Sequence, residues 1–458
     1  MKVLLLNPPS PRTVIRDYYC SKSTKSNYLF QPIDLLMQSG VLAEAGHELH
    51  AIDAVVRQMT ESECLDEIER IKPDAVLGLW GAVTDSSDSA FYRKMVEKTG
   101  APLFATGEVF LEEPERWLRE RDFVKGALLR FVSKGLSEYL ATGKPGPDLM
   151  VREEDSVSGG LAEPVPSEFS LGRPRHELFG YDRYRFSFAR GNRFATVLTD
   201  FGCPFKCGFC VMACLGYRLR PADEVVRELR WLRENGIKEL FVTDQCFGAR
   251  KSRSIDLCER IHTETPGMGW TTFTRADLLD DTLLTSMKKA GCHTVIMGVE
   301  TADQETLSSY SKGLAPEKVK QGFRMCRQRG IRTVATFILG LPEDTEESIK
   351  ATMKLARELD PDFVSYNVAV PRSGTSLARA AREEGLSEAG VDADQGGDVV
   401  VMKTRSLERE RVAELKRKAI RDFYLRPTYL ARRIFAVRSA RELLAEAREG
   451  LALLGKNI

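Results

Sequence analysis

The sequence predicts an α/β protein built from two sheets. A doubly wound, Rossmann-like parallel sheet is expected over residues 1–142 and a linker over 143–190. An incomplete (β/α)6 barrel of TIM type follows over 191–385, and a helical region over 386–458. Three observations carry this. The chain has 458 residues, roughly three times a usual domain of ~150. Two stretches alternate short apolar runs with helical periodicity, the pattern of parallel βα units. Between them lies a stretch rich in Gly, Pro, Ser and acidic residues, a linker composition.

In the first stretch, residues 3–6 are an apolar run stopped by Asn7-Pro8-Pro9. A helix over 33–44 ends before Gly46, where glycine is the expected residue just past a helix. Strands are expected at 47–55, 75–80, 102–106 and 123–124, with helices at 62–71, 89–98 and 114–121. In such sheets ligands bind beyond the carboxyl ends of the strands, here Asn7-Pro8-Pro9, Trp80-Gly81-Ala82, Thr106-Gly107-Glu108 and Lys125-Gly126. Barrel strands are expected at 194–200, 239–243, 269–273, 294–299, 332–339 and 363–368. Helices between them include 222–234 and 316–329, and the reading from 408 onward is mostly helical.

Composition narrows the function. Lys and Arg number 67 against 66 Asp and Glu, so the basic excess of a general nucleic-acid-binding surface is missing. No run of about 18 apolar residues suggests a membrane span, and the opening MKVLLLNPPSP is too short for a signal peptide. A cytoplasmic location is therefore expected, with the ten cysteines as reduced thiols or metal ligands.

The strongest chemical signal is Cys203-Pro204-Phe205-Lys206-Cys207-Gly208-Phe209-Cys210, directly after the first barrel strand. Three thiolates on one loop can hold three irons of a [4Fe–4S] cluster, leaving the fourth open to a substrate or cofactor. The competing reading is structural zinc with Cys214 as fourth ligand, although zinc sites usually pair two distant C-x2-C units.

C-x3-C-x2-C with an aromatic before the last Cys resembles the radical S-adenosylmethionine (SAM) superfamily. Further motifs agree: Gly298-Val299-Glu300, the segment from Phe337 through Leu339-Gly340-Leu341-Pro342 to Thr345, and Pro371-Arg372-Ser373-Gly374-Thr375. Asp244-Gln245 stands where the family often has paired acids. The resemblance implies a reduced cluster that chelates SAM and cleaves it to a 5′-deoxyadenosyl radical, fed by a low-potential donor of flavodoxin or ferredoxin type. It also implies SAM contacts at Phe209, Asp244, Arg275, Gly298, Glu300, Leu339 and Gly340.

A doubly wound domain before such a barrel is similar to the cobalamin-binding subfamily. This implies corrin contacts at Asn7, Pro8, Trp80, Val83, Thr84, Thr106, Gly107 and Glu108. The subfamily's D-x-H-x-x-G segment is here Asp53-Ala54-Val55-Val56-Arg57, so cobalt is expected base-off without a His ligand, its lower face covered by Trp80 or Val83. Lys125-Gly126-Ala127 stands where relatives often carry G-E. The expected reaction is methylation of an unactivated carbon of a small-molecule or lipid substrate. The alternatives are cyclisation, ring contraction, oxidation or C–C bond formation, with or without a corrin, and, from another class, a sensor or electron carrier.

The other cysteines read as core residues, with a role at the substrate open for Cys246. Relatives that transfer methylthio groups match poorly, since they have three N-terminal cysteines where this chain has Cys20 and Cys64. Over 403–441, thirteen Lys or Arg face four acids, with Phe423, Tyr424, Tyr429 and Phe435 interleaved. That stretch reads as helices closing the barrel, as a basic patch for an acidic partner, or as an amphipathic surface for an anionic membrane.

Overall fold

The computed structural model describes residues 1–436 apart from 20, 25–27, 155, 192, 388–393 and 395–399. Seven strands form the N-terminal sheet: Lys2–Asn7, Glu48–Asp53, Ala75–Leu79, Leu103–Thr106, Val124–Leu128, Leu149–Arg152 and Val157–Gly160. Numbered in that sequence, their spatial order is 2-1-3-4-5-6-7; the first five are parallel and the last two antiparallel. Val3–Leu6 and Ala75–Leu79 are buried throughout, as strands covered on both faces must be. The strands at 149–152 and 157–160 lie inside the stretch whose composition reads as linker. Leu149 and Val151 insert into the sheet's core, but four-residue strands between Gly, Pro and Ser carry too short an alternation to show. The fifth strand also runs further than expected, to Leu128.

Around the first strand the order reverses, and a crevice opens at the carboxyl edge between strands 1 and 3. The chain's own segment 14–24 enters it. Val14, Ile15, Arg16, Asp17, Tyr18, Tyr19, Ser21 and Thr24 are all buried.

Six parallel strands make the second sheet: Ala195–Val197, Glu239–Val242, Gly269–Thr274, Cys292–Glu300, Arg332–Leu339 and Phe363–Val368, in consecutive order. The sixth does not pair with the first, so the barrel is open on one side. Alternate residues such as Val197, Val242, Trp270, Val295, Phe337 and Tyr366 point out into the core beneath the surrounding helices, which turns their neighbours into the lumen. The expected strand at 194–200 is broken. After Val197 the chain turns, and Asp200–Gly202 pairs antiparallel with Tyr217–Leu219, bracketing the cysteine loop.

The helix Arg409–Tyr424 packs Val412, Leu415, Ala419, Ile420 and Phe423 into the barrel wall. The Tyr424 hydroxyl accepts from the Val364 amide at 3.0 Å and donates to the Val364 carbonyl at 2.7 Å. Arg432 donates to the carbonyls of Asp360 and Pro361, and Arg405 and Arg411 pair with Glu384 and Glu346. The basic residues named here are thus spent on the barrel. No described helix is long and apolar enough to cross a membrane. Residues 437–458, with Arg438 and Arg441, lie outside the described residues, as do the Phe435 side chain and Cys20.

Candidate active site

The cysteine loop leaves the Asp200–Gly202 strand through Gly202, whose φ is +78°. A Cβ there would stand 1.9 Å from the Gly216 carbonyl oxygen, so only glycine lets the two sides of the hairpin meet. Three contacts then suspend the loop. The Gly208 amide donates to the Tyr310 carbonyl at 2.8 Å, and the Gly208 carbonyl accepts from the Leu377 amide at 3.1 Å and the Ser376 hydroxyl at 3.0 Å. The segments that follow the fourth and sixth barrel strands therefore hold the loop from two sides.

Positive charge surrounds the thiols. Arg275, just past the third strand, aims Nη1 at Cys207 Sγ, 3.8 Å away, and its guanidinium lies 4.0 Å from the centre of the Phe205 ring. Asp277 fixes it through two hydrogen bonds, and it donates to the Lys312 carbonyl. Lys312 is buried, with Nζ 2.9 Å from Glu300 Oε1 and 5.9 Å from the Phe209 ring centre. Burial alone would lower the lysine's pKa, but the charges of Glu300 and Cys207 outweigh it and raise it. A hydrogen bond with Cys246 lowers the Cys203 thiol to about 7, with help from Lys312 and Arg275, whereas burial pushes Cys210 up to about 12. Two held cations next to three thiols suit an anionic cluster and a carboxylate-bearing ligand.

These residues fit the iron cluster better than zinc. Among the described residues no three potential ligands converge on a single ion, as a mononuclear zinc set must. Cys214 is exposed and engaged with the Gly374 carbonyl at 3.2 Å, away from any fourth-ligand role.

The structure sorts the expected SAM contacts. Arg275, Glu300, Gly298 and Phe209 gather beside the cysteine loop. Glu300 has φ +69°, a conformation that costs a non-glycine residue about 1–3 kcal/mol and that persists at functional sites. Gly298 makes room for it, since a Cβ there would meet Glu300 Oε1 at 2.2 Å. Gly340 has φ +86°, and its amide is held by buried Asp344 at 2.8 Å. Two expectations are corrected. Asp244 is fully buried and grips the Thr199 amide at 2.7 Å, the Asp200 amide at 3.1 Å and the Thr199 hydroxyl, so it positions the entry to the cysteine loop. Leu339 turns its side chain into the outer wall. Sequence reasoning missed Lys312 and Asp344. Their only signals are Ser311-Lys312-Gly313 after a short helix and the acid within Gly340–Thr345.

The crevice of the N-terminal sheet tests the corrin expectation. All eight residues assigned to it are buried. The Trp80 ring, which was to cover cobalt, lies in the core, stacked on Tyr92 at 5.1 Å and meeting Trp117 edge-on at 4.7 Å; Val83 is equally enclosed. The polar groups are spent on segment 14–24. Arg16 donates to Asn7 Oδ1 and the Pro8 carbonyl, both at 3.0 Å, and to Thr84 at 3.1 Å, while pairing with Asp88 at 2.6 Å. Glu108 accepts from the amide and hydroxyl of Ser21 and from Arg372 at 2.7 Å. Thr106 has no exposed surface, and a Cβ on Gly107 would meet the Trp80 carbonyl at 2.0 Å. With segment 14–24 in place these residues do not fit a corrin. The pair between Glu108 and Arg372, and the Gly374 amide donating to Glu112 at 2.6 Å, instead fasten the N-terminal sheet to the barrel mouth.

The Radical SAM superfamily model matches residues 198–356, the span that carries the cysteine loop, Arg275, Glu300, Lys312 and Asp344. An uncharacterized methyltransferase of Pyrococcus horikoshii is 28% identical over 448 residues, 95% of each chain. Residues 198–356 are thus a radical SAM domain. An anaerobic magnesium-protoporphyrin IX monomethyl ester cyclase of Rubrivivax gelatinosus is 26% identical over 73% of this chain and 63% of the relative. Among solved structures, the radical SAM methyltransferase TsrM of Kitasatospora setae superposes with a TM-score of 0.65 at 20% identity, over 85% of this chain and 77% of its own. The cobalamin-dependent radical SAM enzyme OxsB gives 0.70 at 15% identity, over 99% and 72%. At these identities the two structures establish the shared two-domain fold.

Proposed function

We propose that this protein is a radical SAM enzyme that removes a hydrogen atom from an unactivated carbon of an organic substrate, and that the carbon is then methylated. The observation that carries the radical part is the suspended loop of Cys203, Cys207 and Cys210 between the cations of Arg275 and Lys312. A bound [4Fe–4S] cluster would supply one electron to the sulfonium of SAM. This chain's residues have definable tasks toward it. The three thiolates hold the cluster, Lys312 and Arg275 neutralise charge beside it, and Glu300 is fixed by Lys312 for a polar group of the cofactor. Asp344 holds the Gly340 turn at the end of the fifth barrel strand, where the missing side chain leaves room for Val412. A low-potential flavodoxin or ferredoxin would donate the electron, in a reducing cytoplasm.

Methylation as the outcome is supported by the Pyrococcus relative's description and by the fold shared with TsrM. It requires a methyl carrier such as a corrin, and hence the departure of segment 14–24 from the crevice. A second reading is favoured by the closed crevice: the same hydrogen abstraction without a corrin, ending in cyclisation, oxidation or C–C bond formation. The deciding experiment is an anaerobic absorption spectrum with iron and cobalt quantitation, on protein produced with cobalamin supplied. About four irons and one cobalt per chain select the methylating reading. Four irons without cobalt select the second, and zinc in place of iron overturns both.

A further inference from the structure

Strand register arranges the lumen of the barrel in rows. Thr271, Thr294 and Arg332 are aligned on neighbouring strands. Two residues further on, and so about 7 Å nearer the cysteine loop, stand Phe273, Ile296, Val334 and Phe363. Two residues beyond these, Gly298, Thr336 and Ser365 share a row. The intervening residues (Met297, Ala335, Val364) face the outer wall, on whose core they pack.

Each row has a distinct character. The lowest is a polar seal, in which Thr271 and Arg332 both donate to the Phe188 carbonyl and Arg332 also binds Thr294. The middle row is apolar and is continued by rings across the lumen. Phe273 meets Phe241 at 5.8 Å, Phe241 stacks on Phe186 at 4.1 Å, Phe186 meets Phe188 at 5.3 Å, and Phe188 meets Phe363 at 5.4 Å. The top row is small and uncharged. TIM-type barrels usually fill this space with branched side chains. Here Phe186, Phe188, Phe273 and Phe363 remain half-buried, as do Gly298, Thr336 and Ser365 above them. The charged groups at the top, Glu300, Lys312, Arg275 and Asp277, satisfy one another.

We infer that the substrate inserts an uncharged, apolar group, an alkyl or prenyl chain or a hydrophobic ring, into this lumen, where it rests on the phenylalanine row with its reacting carbon against Gly298, Thr336 and Ser365. This rests on the radical SAM reading, because it uses Glu300 and Arg275 to mark where the radical arises. A charged substrate group at this depth would face aromatic edges, and the cation beneath them, Arg332, is engaged with Thr294 and the Phe188 carbonyl, which makes burying such a charge costly.

The test uses reconstituted holoenzyme with saturating SAM, titrated anaerobically with straight-chain 1-alcohols from hexanol to dodecanol. Burial in the lumen predicts one site per chain and about four-fold tighter binding per added methylene until the space is full. Thr336→Trp, which fills the top row, is expected to weaken dodecanol binding at least ten-fold with iron content and thermal unfolding unchanged. Should that variant misfold, Ser365→Leu narrows the same row. Affinity that ignores chain length, or survives the narrowing, overturns the inference. Reductive formation of 5′-deoxyadenosine by the same preparation separately checks the radical SAM reading. If it forms while the alcohols bind without length dependence, the lumen inference alone has failed; if it does not form, the family reading has failed.

Discussion

Replacing Lys312 by Met removes the positive member of a pair whose side chains are only 8% and 9% exposed and whose atoms are 2.9 Å apart. The methionine fills a similar volume, so the main loss is charge. Glu300 would keep its left-handed backbone and its buried carboxylate without a counter-ion, and breaking such a pair costs about 3–5 kcal/mol. With a urea dependence near 3 kcal/mol per molar, the upper part of the usual range, the midpoint should fall by roughly 1–2 M. The assay is anaerobic urea unfolding followed by fluorescence, in which Trp270, buried in the barrel wall, reports this domain. The double variant Lys312→Met/Glu300→Gln discards both charges and should recover at least half of the loss, since a buried ion pair offers little over a neutral pair of the same shape. A single-variant cost below about 1 kcal/mol, or a double variant less stable than the single, would refute this account of the pair.

Three further outcomes follow from the same geometry. Ala at Cys203, Cys207 or Cys210 should abolish both the cluster absorbance and 5′-deoxyadenosine formation, whereas Cys214→Ala, outside the loop's ligand set, should retain about four irons per chain; iron loss in that last variant would revive a four-cysteine site. Burial raises Asp344 to about 6 from an ordinary 3.8, against the pull of Ser348 and the Gly340 and Leu341 amides. A raised carboxyl contributes stability that is complete below its unfolded pKa and is lost as pH climbs through the folded one. About 3 kcal/mol should therefore disappear between pH 4 and 7, and a thermal-unfolding profile that keeps its slope over that window in Asp344→Asn would argue otherwise. Arg372→Met leaves Glu108 buried beside Ser21 and should cost the docking of the two domains about 3 kcal/mol, read as cleavage of the segment around residues 371–375 by a broad-specificity protease such as proteinase K some hundred-fold faster; unchanged protection would show that the contact carries no load.

The parallel strands of both sheets were legible in the sequence because buried strands such as Val3–Leu6 and Ala75–Leu79 are uniformly apolar and some of their helices end beside a glycine, as at Gly46 and Gly100. The cysteine loop was legible from its own spacing, and Arg275 and Glu300 from the resemblance that the loop and the Gly298-Val299-Glu300 segment carry. Lys312 was not, since a lysine in a polar loop looks solvated until the fold buries it against Glu300. Segment 14–24 misled for a related reason. Arg16 and Ser21 have the polarity of a surface loop, yet Asn7, Thr84 and Asp88 receive Arg16, and Glu108 receives Ser21, in the crevice where a ligand was expected. Trp80 shows the limit of placing a residue by strand end alone: its ring turned inward, where stacking on Tyr92 and burial favour it. The basic C-terminal helix was ambiguous because charge and aromatic content are the same for a membrane surface and for a cap. The hydrogen bonds to the carbonyls of Asp360 and Pro361 and to the edge of the sixth strand show that it caps the barrel.

That cap has a bearing on how the protein can be shortened. The sixth strand offers the outer edge of an unclosed sheet, and such an edge is a template for a strand from another molecule. The Tyr424 hydroxyl occupies both hydrogen-bonding positions of Val364, and Tyr429 donates to the neighbouring Asp362 carbonyl at 3.0 Å. Chains trimmed before Arg409, as one might do to remove a basic tail, would expose this edge together with the apolar seat of Val412, Leu415 and Phe423. They should self-associate through strand addition while keeping an intact cysteine loop. Trimming after Ala436 preserves the cap, and with it a barrel whose incompleteness is sealed from within its own chain.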